Sequence, residues 1–361
     1  MPVLVGAVDS PSGSSGCLPA ESLTAAAVWY QGLGAFDSKW ASVWKAAAIL
    51  WTSAAKTVEW LGNQPTRPKA VILHGTSAPF LRRLLPWCRR NRVALICDVV
   101  EWYYPGQVIG GRWTPIYWSG EYSMRHLVPR CDGIIAISRL LESYYTKAGC
   151  RVIRIPPTTD VAGVPASSHT PAEDGRINLV YAGVPGKKDL LANALEGLRR
   201  VDPHGQRFRF RLVGPDEQAV RRLCPNYPAE AIEIMGRRSH EETLKMVGEA
   251  DFSVLLRPNE RYAHAGFPTK VVESLTCGTP VICNLTSDLA EHIHDGQEGV
   301  VCRDSSPEAF AQALRTAGEI GRDRMMNMRR AARAQAERAF DYRIYVSALG
   351  QFMREATRGV A

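Results

Sequence analysis

Short apolar runs alternate with helical stretches along most of this chain, and that alternation restricts it to parallel sheets covered by helices on both faces. The first series of predicted strands is Pro2 to Val8, Ala70 to His74, Val93 to Asp98, Gly133 to Ile137 and Val152 to Ile155. Helical patterning fills gaps such as Ala78 to Arg90 and Arg139 to Ala148. A Pro/Ser/Ala-rich run, Val164 to Gly175, has linker composition. The second series of strands is Ile177 to Ala182, Arg207 to Val213, Ile232 to Met235, Asp251 to Leu256 and Val281 to Asn284. Helices are predicted at 188–200, 217–224, 239–248, 268–276 and 307–317. The expected class is α/β with two Rossmann-like domains. At 361 residues the chain is too long for one core.

In open parallel sheets, ligands sit beyond the carboxyl ends of the strands. His74-Gly-Thr-Ser77, Asp98 and Glu101 occupy such places in the first series; Gly183 to Lys188, Gly214, Gly236-Arg237 and Arg257 do so in the second. Residues 264–283 read as a phosphate-binding helix start: Gly266 for close approach, Pro268 at the first helical position, and Thr269 and Lys270 beside free first-turn amides. Val271, Val272 and Leu275 form its buried face, Gly278 ends it, and Lys270 and Glu273 share the other face. Lys270 suits a phosphate and Glu273 ribose hydroxyls; an i,i+3 surface ion pair is the alternative.

Gly183-Val-Pro-Gly-Lys-Lys-Asp189 joins a strand to a helix, with Lys187 and Lys188 set for a diphosphate, but it lacks the Gly-Lys-Ser/Thr ending of a P-loop. Ser239 and Glu242 form a capping box, which leaves Gly236 and Arg237 to meet a base. For His74 and Glu101, loop-fastening hydrogen bonds compete with substrate contact. No hydrolase triad, zinc-protease motif or dinucleotide Gly-x-Gly-x-x-Gly is present.

The charge of +8 admits anionic partners, yet the arginines are dispersed with little aromatic interleaving. Most read as solvated helix faces, and no nucleic-acid partner is expected. Trp40, Trp44 and Trp51 share one helical face, read first as core packing and second as a membrane-facing surface. Nine cysteines without a Cys-x-x-Cys pair fit reduced core thiols rather than disulfides or zinc. With no long apolar span and no signal-peptide pattern, the chain is expected in the cytosol, peripheral on the inner face of the membrane.

Taken together, Tyr181 to Asp189, Asp251 to Arg257, Gly266 to Pro280 and Asn284 to Glu291 resemble the retaining GT-B glycosyltransferases of family four, the bacterial polysaccharide type also called group 1. Asp98 to Tyr103, Ile135 to Ser138 and Ile155-Pro-Pro with Asp160 extend the resemblance into the first half. It implies domains at 1–165 (acceptor) and 166–340 (donor) facing an interdomain cleft, with a helix in 341–361 packing back on the first. It implies transfer from a UDP- or GDP-sugar to a glycan, lipid-linked or small-molecule hydroxyl in cell-surface polysaccharide or glycoconjugate synthesis. A non-catalytic or epimerase-like protein that binds a nucleotide sugar is the alternative.

By the resemblance, Lys188 holds the diphosphate and Glu273 is the second glutamate of the family's Glu-x7-Glu motif. Gly266, Phe267, Pro268 and Thr269 hold diphosphate and sugar, and Gly13-Ser-Ser-Gly16 approaches the donor from the first domain. His74 and Glu101 contact acceptor or donor sugar, and no metal or other cofactor is expected. Two departures stand out. Ala265 occupies the first glutamate position, and Val184 and Pro185 lie where an arginine often precedes the phosphate lysine, which leaves Arg257 or Arg261 to supply that charge.

Overall fold

A computed structural model describes residues 2–5, 15–18, 28–31, 43–108, 110–165, 169, 174–186 and 188–360. The chain divides into two compact units, Met1–Ile155 with Val346–Ala361, and Pro156–Tyr345.

The first unit carries β1 (Pro2–Val5), β2 (Ser15–Leu18), β3 (Val28–Gln31), α1 (Val43–Gly62), β4 (Ala70–His74), α2 (Ala78–Asn91), β5 (Ala94–Val99), α3 (Pro115–Tyr122), β6 (Gly133–Ala136), α4 (Arg139–Lys147) and β7 (Val152–Arg154). Its sheet runs β2-β3-β1-β4-β5-β6-β7. All neighbours are parallel except β2, which pairs antiparallel with β3. That antiparallel edge departs from the all-parallel expectation. Gly16 pairs with Tyr30 inside it and is therefore a strand residue, not part of a turn; Gly13 and Ser14 lie outside the described residues.

The second unit carries β8 (Ile177–Ala182), α5 (Leu191–Val201), β9 (Phe208–Val213), α6 (Glu217–Leu223), β10 (Ile232–Gly236), α7 (His240–Glu249), β11 (Phe252–Leu255), α8 (Arg261–Ala265), α9 (Thr269–Thr276), β12 (Val281–Asn284), β13 (Gly299–Cys302), α10 (Pro307–Gly318) and α11 (Arg322–Ala339). Its parallel sheet runs β10-β9-β8-β11-β12-β13. The strand order reverses between β8 and β11, so this unit has its topological switch point there. Its core is built by inward residues of adjacent strands, among them Leu179, Tyr181, Phe208, Phe210 and Phe252.

In β9 the period of two buries Phe208 and Phe210 and turns Arg209 and Arg211 outward. Those arginines are not solvated helix residues. Arg209 pairs with Asp174 at 2.6 Å and Glu233 at 3.0 Å, and Arg211 with Glu233 at 3.1 Å.

The units divide at Pro156, against an expected 166, because the intervening residues are tied to the second unit. Thr159 exchanges backbone hydrogen bonds with Phe340 and Tyr342 at 2.9 and 3.2 Å. Arg333 donates to the carbonyls of Val161 and Val164. The chain then returns to the first unit as α12 (Val346–Arg358), whose Phe352 and Ala356 are buried with Ala70, Ala94 and Ile96. Among the described residues no helix is long and apolar enough to cross a membrane. Trp51 is 40% exposed, which corrects the core assignment for that residue. Trp44 lies in α1 without a described side chain, and Trp40 lies outside the described residues. Cys88, Cys97, Cys131, Cys150, Cys224, Cys277, Cys283 and Cys302 are free thiols, six of them buried.

Candidate functional site

On the β8 side of the switch point of the second unit, three neighbouring strands end on glycines with positive φ. Gly183 follows β8 at 145°, Gly214 follows β9 at 116°, and Gly236 closes β10 at 62°. The Gly183 amide donates to the Val213 carbonyl at 2.8 Å, and the Gly214 amide to the Gly236 carbonyl at 2.8 Å. At Gly183 a side chain would be strained by the left-handed backbone, and its Cβ would have to displace the Lys270 ammonium, which occupies that space. A Cβ on Gly214 would strike the Gly183 carbonyl. Gly183 and Gly214 thus let two strand ends and one lysine crowd together.

Lys270 reaches this position from the first turn of α9. The helix starts at Thr269, with Pro268 as its N-cap at φ −78° and ψ 108°, one place earlier than the expected first helical position. Its far end closes as a Schellman motif, with Gly278 donating to the Leu275 carbonyl and Thr279 to the Ser274 carbonyl, each at 2.9 Å. The Val271 amide donates to the Pro268 carbonyl at 3.1 Å, which leaves the amides of Thr269 and Lys270 as those without an acceptor inside the helix, and the aligned peptide dipoles favour an anion there. The Gly266 amide is already used by the Tyr262 carbonyl at 2.9 Å. Gly266, Phe267 and Pro268 are buried whereas Thr269 is exposed. The Phe267 ring packs edge-on against His292 and Phe340, at 5.7 Å each, and so belongs to the core.

The partner of Lys270 is neither Glu273 nor solvent. Its ammonium pairs with Asp189, donates to the Tyr181 hydroxyl at 3.2 Å, and lies 4.4 Å from the centre of the Tyr181 ring. Tyr181 donates in turn to Asp189 at 3.0 Å, and burial together with that carboxylate pushes its hydroxyl pKa up. Asp189 and Tyr181 were given no role by motif reading. The available signal was their place at the two ends of the Gly183 turn, with Tyr181 a lone hydroxyl in an otherwise aliphatic strand end. Lys188, next to Asp189, is half-buried; Lys187 lies outside the described residues.

Glu273, one turn along α9, is half-buried; its carbonyl accepts from the Cys277 amide at 3.0 Å, and its carboxylate makes no hydrogen bond among the described residues. Burial raises its carboxyl pKa from the ordinary 4.5, partly offset by His240 and Lys270. A carboxylate held in this state is ready to accept from ligand hydroxyls.

The remaining candidates separate. Arg237 is exposed just beyond β10, and the Ser239–Glu242 capping box behind it is formed, with reciprocal bonds of 2.9 and 3.2 Å. Arg257 is buried, donates to the Ala263 carbonyl at 3.4 Å and stacks 5.8 Å from the Tyr262 ring. Its backbone is clamped by Asn284 through bonds of 2.9 and 2.8 Å. These contacts fasten the ends of β11 and β12 together. Arg261 opens α8, and Ala265 closes that helix, fully buried.

In the first unit, His74 and Asp98 end the adjacent strands β4 and β5, with Nδ1 and Oδ2 2.6 Å apart. The hydrogen bond to Asp98 raises the His74 pKa. With Nδ1 engaged, Nε2 is left for any substrate. Glu101 hydrogen bonds Tyr103, and its charge together with burial raises that phenol's pKa. Among the described residues no group of three or more His, Cys, Asp or Glu could hold a metal ion.

Residues 177–318 match the model of a family described as glycosyl transferases group 1. The chain is 26% identical over 294 residues to the candidate colanic acid biosynthesis glycosyltransferase WcaL of Escherichia coli, covering 78% of this chain and 69% of that protein. Among solved structures, a glycosyltransferase from Rickettsia africae superposes with a TM-score of 0.65 at 15% identity, covering 89% of this chain and 84% of the other. Anabaena HepE in complex with UDP and glucose gives 0.64 at 15%, covering 84% and 81%. The fold is therefore that of the GT-B proteins, two Rossmann-like units in one chain.

Proposed function

We infer, from the match of residues 177–318 to the group 1 glycosyl transferases, that this chain is a retaining glycosyltransferase. It moves a sugar from a UDP- or GDP-sugar to an acceptor hydroxyl in cell-surface polysaccharide or glycoconjugate synthesis. The observation that carries the reading is the seating of Lys270 over Gly183 at the switch point, on the first turn of α9. Cation, glycine turn and helix start together suit a diphosphate. WcaL supports the polysaccharide context and HepE, in complex with UDP, the donor class.

In this reading the diphosphate lies against Gly183 and the α9 amides, where Lys188 and Lys270 offset the charge that grows as the glycosidic bond breaks. Glu273 accepts from the ribose hydroxyls, and Gly236 with Arg237 meets the base. Transfer takes place on one face of the sugar: the leaving diphosphate draws the acceptor proton, and the protein contributes positioning and electrostatics without an enzymatic nucleophile. No metal is required where a helix start and two lysines hold the diphosphate. His74 and Glu101 serve acceptor or donor-sugar contact from the first unit.

Screening UDP-, GDP-, ADP- and TDP-sugars by thermal unfolding identifies the donor, since a ligand at 100 times its Kd adds about 2.7 kcal/mol. NMR of the product anomer with that donor then tests the stereochemistry. Retention is expected; an inverted product would refute the retaining mechanism. Ala265, fully buried at the motif's first glutamate position, favours a second reading in which the chain binds a nucleotide sugar without transferring it. Donor stabilisation with neither transfer nor donor hydrolysis would select that reading.

A further inference from the structure

We propose that Asn259, held in place by His264, contacts and selects the donor sugar. The proposal rests on the transferase reading and adds to it a contact on residues that motif reading left without a role.

Sheet order sets the direction. The strands of the second unit run β10-β9-β8-β11-β12. In the transferase reading the base meets Gly236 on β10 and the diphosphate lies at Gly183 after β8. A sugar on the far side of that diphosphate is carried across the switch point, toward the carboxyl ends of β11 and β12. Those ends are tied to the β8 side, because the Leu190 amide donates to the Leu256 carbonyl at 2.8 Å. Beyond Leu256 the chain passes through Asn259, which is exposed, into α8 and then the start of α9.

Three segments meet at His264, near the end of α8. Its Nδ1 accepts from the Ser287 amide at 3.2 Å, and its Nε2 lies 2.5 Å from Oδ1 of Asn259. A backbone N–H can only donate, so Nδ1 carries the lone pair and Nε2 carries the proton. The Asn259 carbonyl oxygen is thereby engaged, and its side-chain NH₂ has no acceptor among the described residues. An exposed NH₂ whose carbonyl is already fixed is an oriented donor, and a sugar oxygen is the acceptor that fits it.

The loop after β12 bears the same mark. Ser287 is held at φ 55° without being a glycine, where its amide meets His264. Thr286 beside it is 1% exposed, and the buried hydroxyls of both residues have no partner among the described residues. Buried hydroxyls without partners are costly, and two in succession fit a loop whose hydrogen bonding a ligand completes. Ala265, next to His264, is fully buried and offers a sugar no polar group. The His264–Asn259 pair is the polar pair adjoining that position.

Calorimetric titration of the full chain with UDP, UDP-glucose and UDP-N-acetylglucosamine, and with GDP and GDP-mannose, tests the proposal. Asn259→Ala should bind the nucleoside diphosphate as the wild type does and its nucleotide sugar about tenfold more weakly, the effect of one lost hydrogen bond. His264→Ala should lose the same factor. His264→Gln, whose amide can reach Asn259 in place of Nε2, should recover most of it. Because Asn259 is exposed, its variant should unfold at the wild-type temperature; if His264→Ala does not fold, Asn259→Ala decides alone. Wild-type affinity of Asn259→Ala for every nucleotide sugar that binds, or equal losses for nucleotide and nucleotide sugar, would overturn the proposal and leave the transferase reading in place. A wild-type chain that binds no nucleotide sugar of this set would refute the UDP- or GDP-sugar reading, and the proposal with it.

Discussion

Lys270→Ala is expected to lower sugar transfer by about 10²- to 10³-fold, the usual cost of removing one preorganised charge from a developing anion. Lys188→Ala should lose a similar factor. The two differ in stability, because Lys270 also neutralises Asp189, whose side chain is only 13% exposed. Removing the lysine strands that carboxylate, which should cost about 2 kcal/mol. Asp189→Asn in the same chain should restore most of the stability and none of the activity. Steady-state kinetics and denaturant unfolding on the four variants of this cycle measure both quantities. Near-normal turnover in Lys270→Ala would show that the diphosphate is held elsewhere.

Glu273→Gln is expected to separate stability from function in the opposite sense. Burial raises the carboxyl pKa of Glu273, so the folded chain holds that proton more tightly than the unfolded one. The ionised side chain therefore costs folding free energy. That cost is absent below the unfolded pKa and complete above the folded one, so stability falls as pH rises through the carboxylate range. Glutamine removes the charge at similar size and should raise the unfolding temperature at neutral pH, with no gain in acid. A carboxylate accepting from ribose hydroxyls loses its charge-assisted bonds in the same change, so the donor Kd should rise about a hundredfold. Thermal unfolding at pH 4 and pH 7 with donor titration checks both halves. A variant that is less stable at neutral pH and binds donor normally would make Glu273 a structural residue.

How much was readable in advance depended on how local each determinant is. β4, β8 and β12 fall on the predicted bounds, because each is an aliphatic run stopped by a polar residue or glycine. β13, only Gly-Val-Val-Cys, and α11, whose buried seam is Met325, Met328, Ala332 and Ala336 among many arginines, lack that contrast and were not foreseen. Local chemistry likewise pointed to Gly183, Lys270 and Glu273 as a group. The partner of Lys270 is 81 residues away in sequence, and no spacing rule connects them. The same holds for Arg257, whose strand-end position suggests a ligand and whose contacts with Ala263 and Asn284 no spacing rule foretells. Strand-end placement identifies where a ligand can sit; which polar groups are already satisfied emerges only when distant segments are packed together.

The central claim is that a nucleoside diphosphate lies on the strand-end glycines and the α9 start of the second unit. Hydrogen–deuterium exchange of the full chain with and without UDP or GDP tests it most directly, since amides that bind or lie under the diphosphate exchange more slowly. Protection is predicted at 183–189, 236–238 and 269–273. Protection confined to other segments while either nucleotide stabilises the fold, or no stabilisation and no protection with any nucleoside diphosphate, would contradict it.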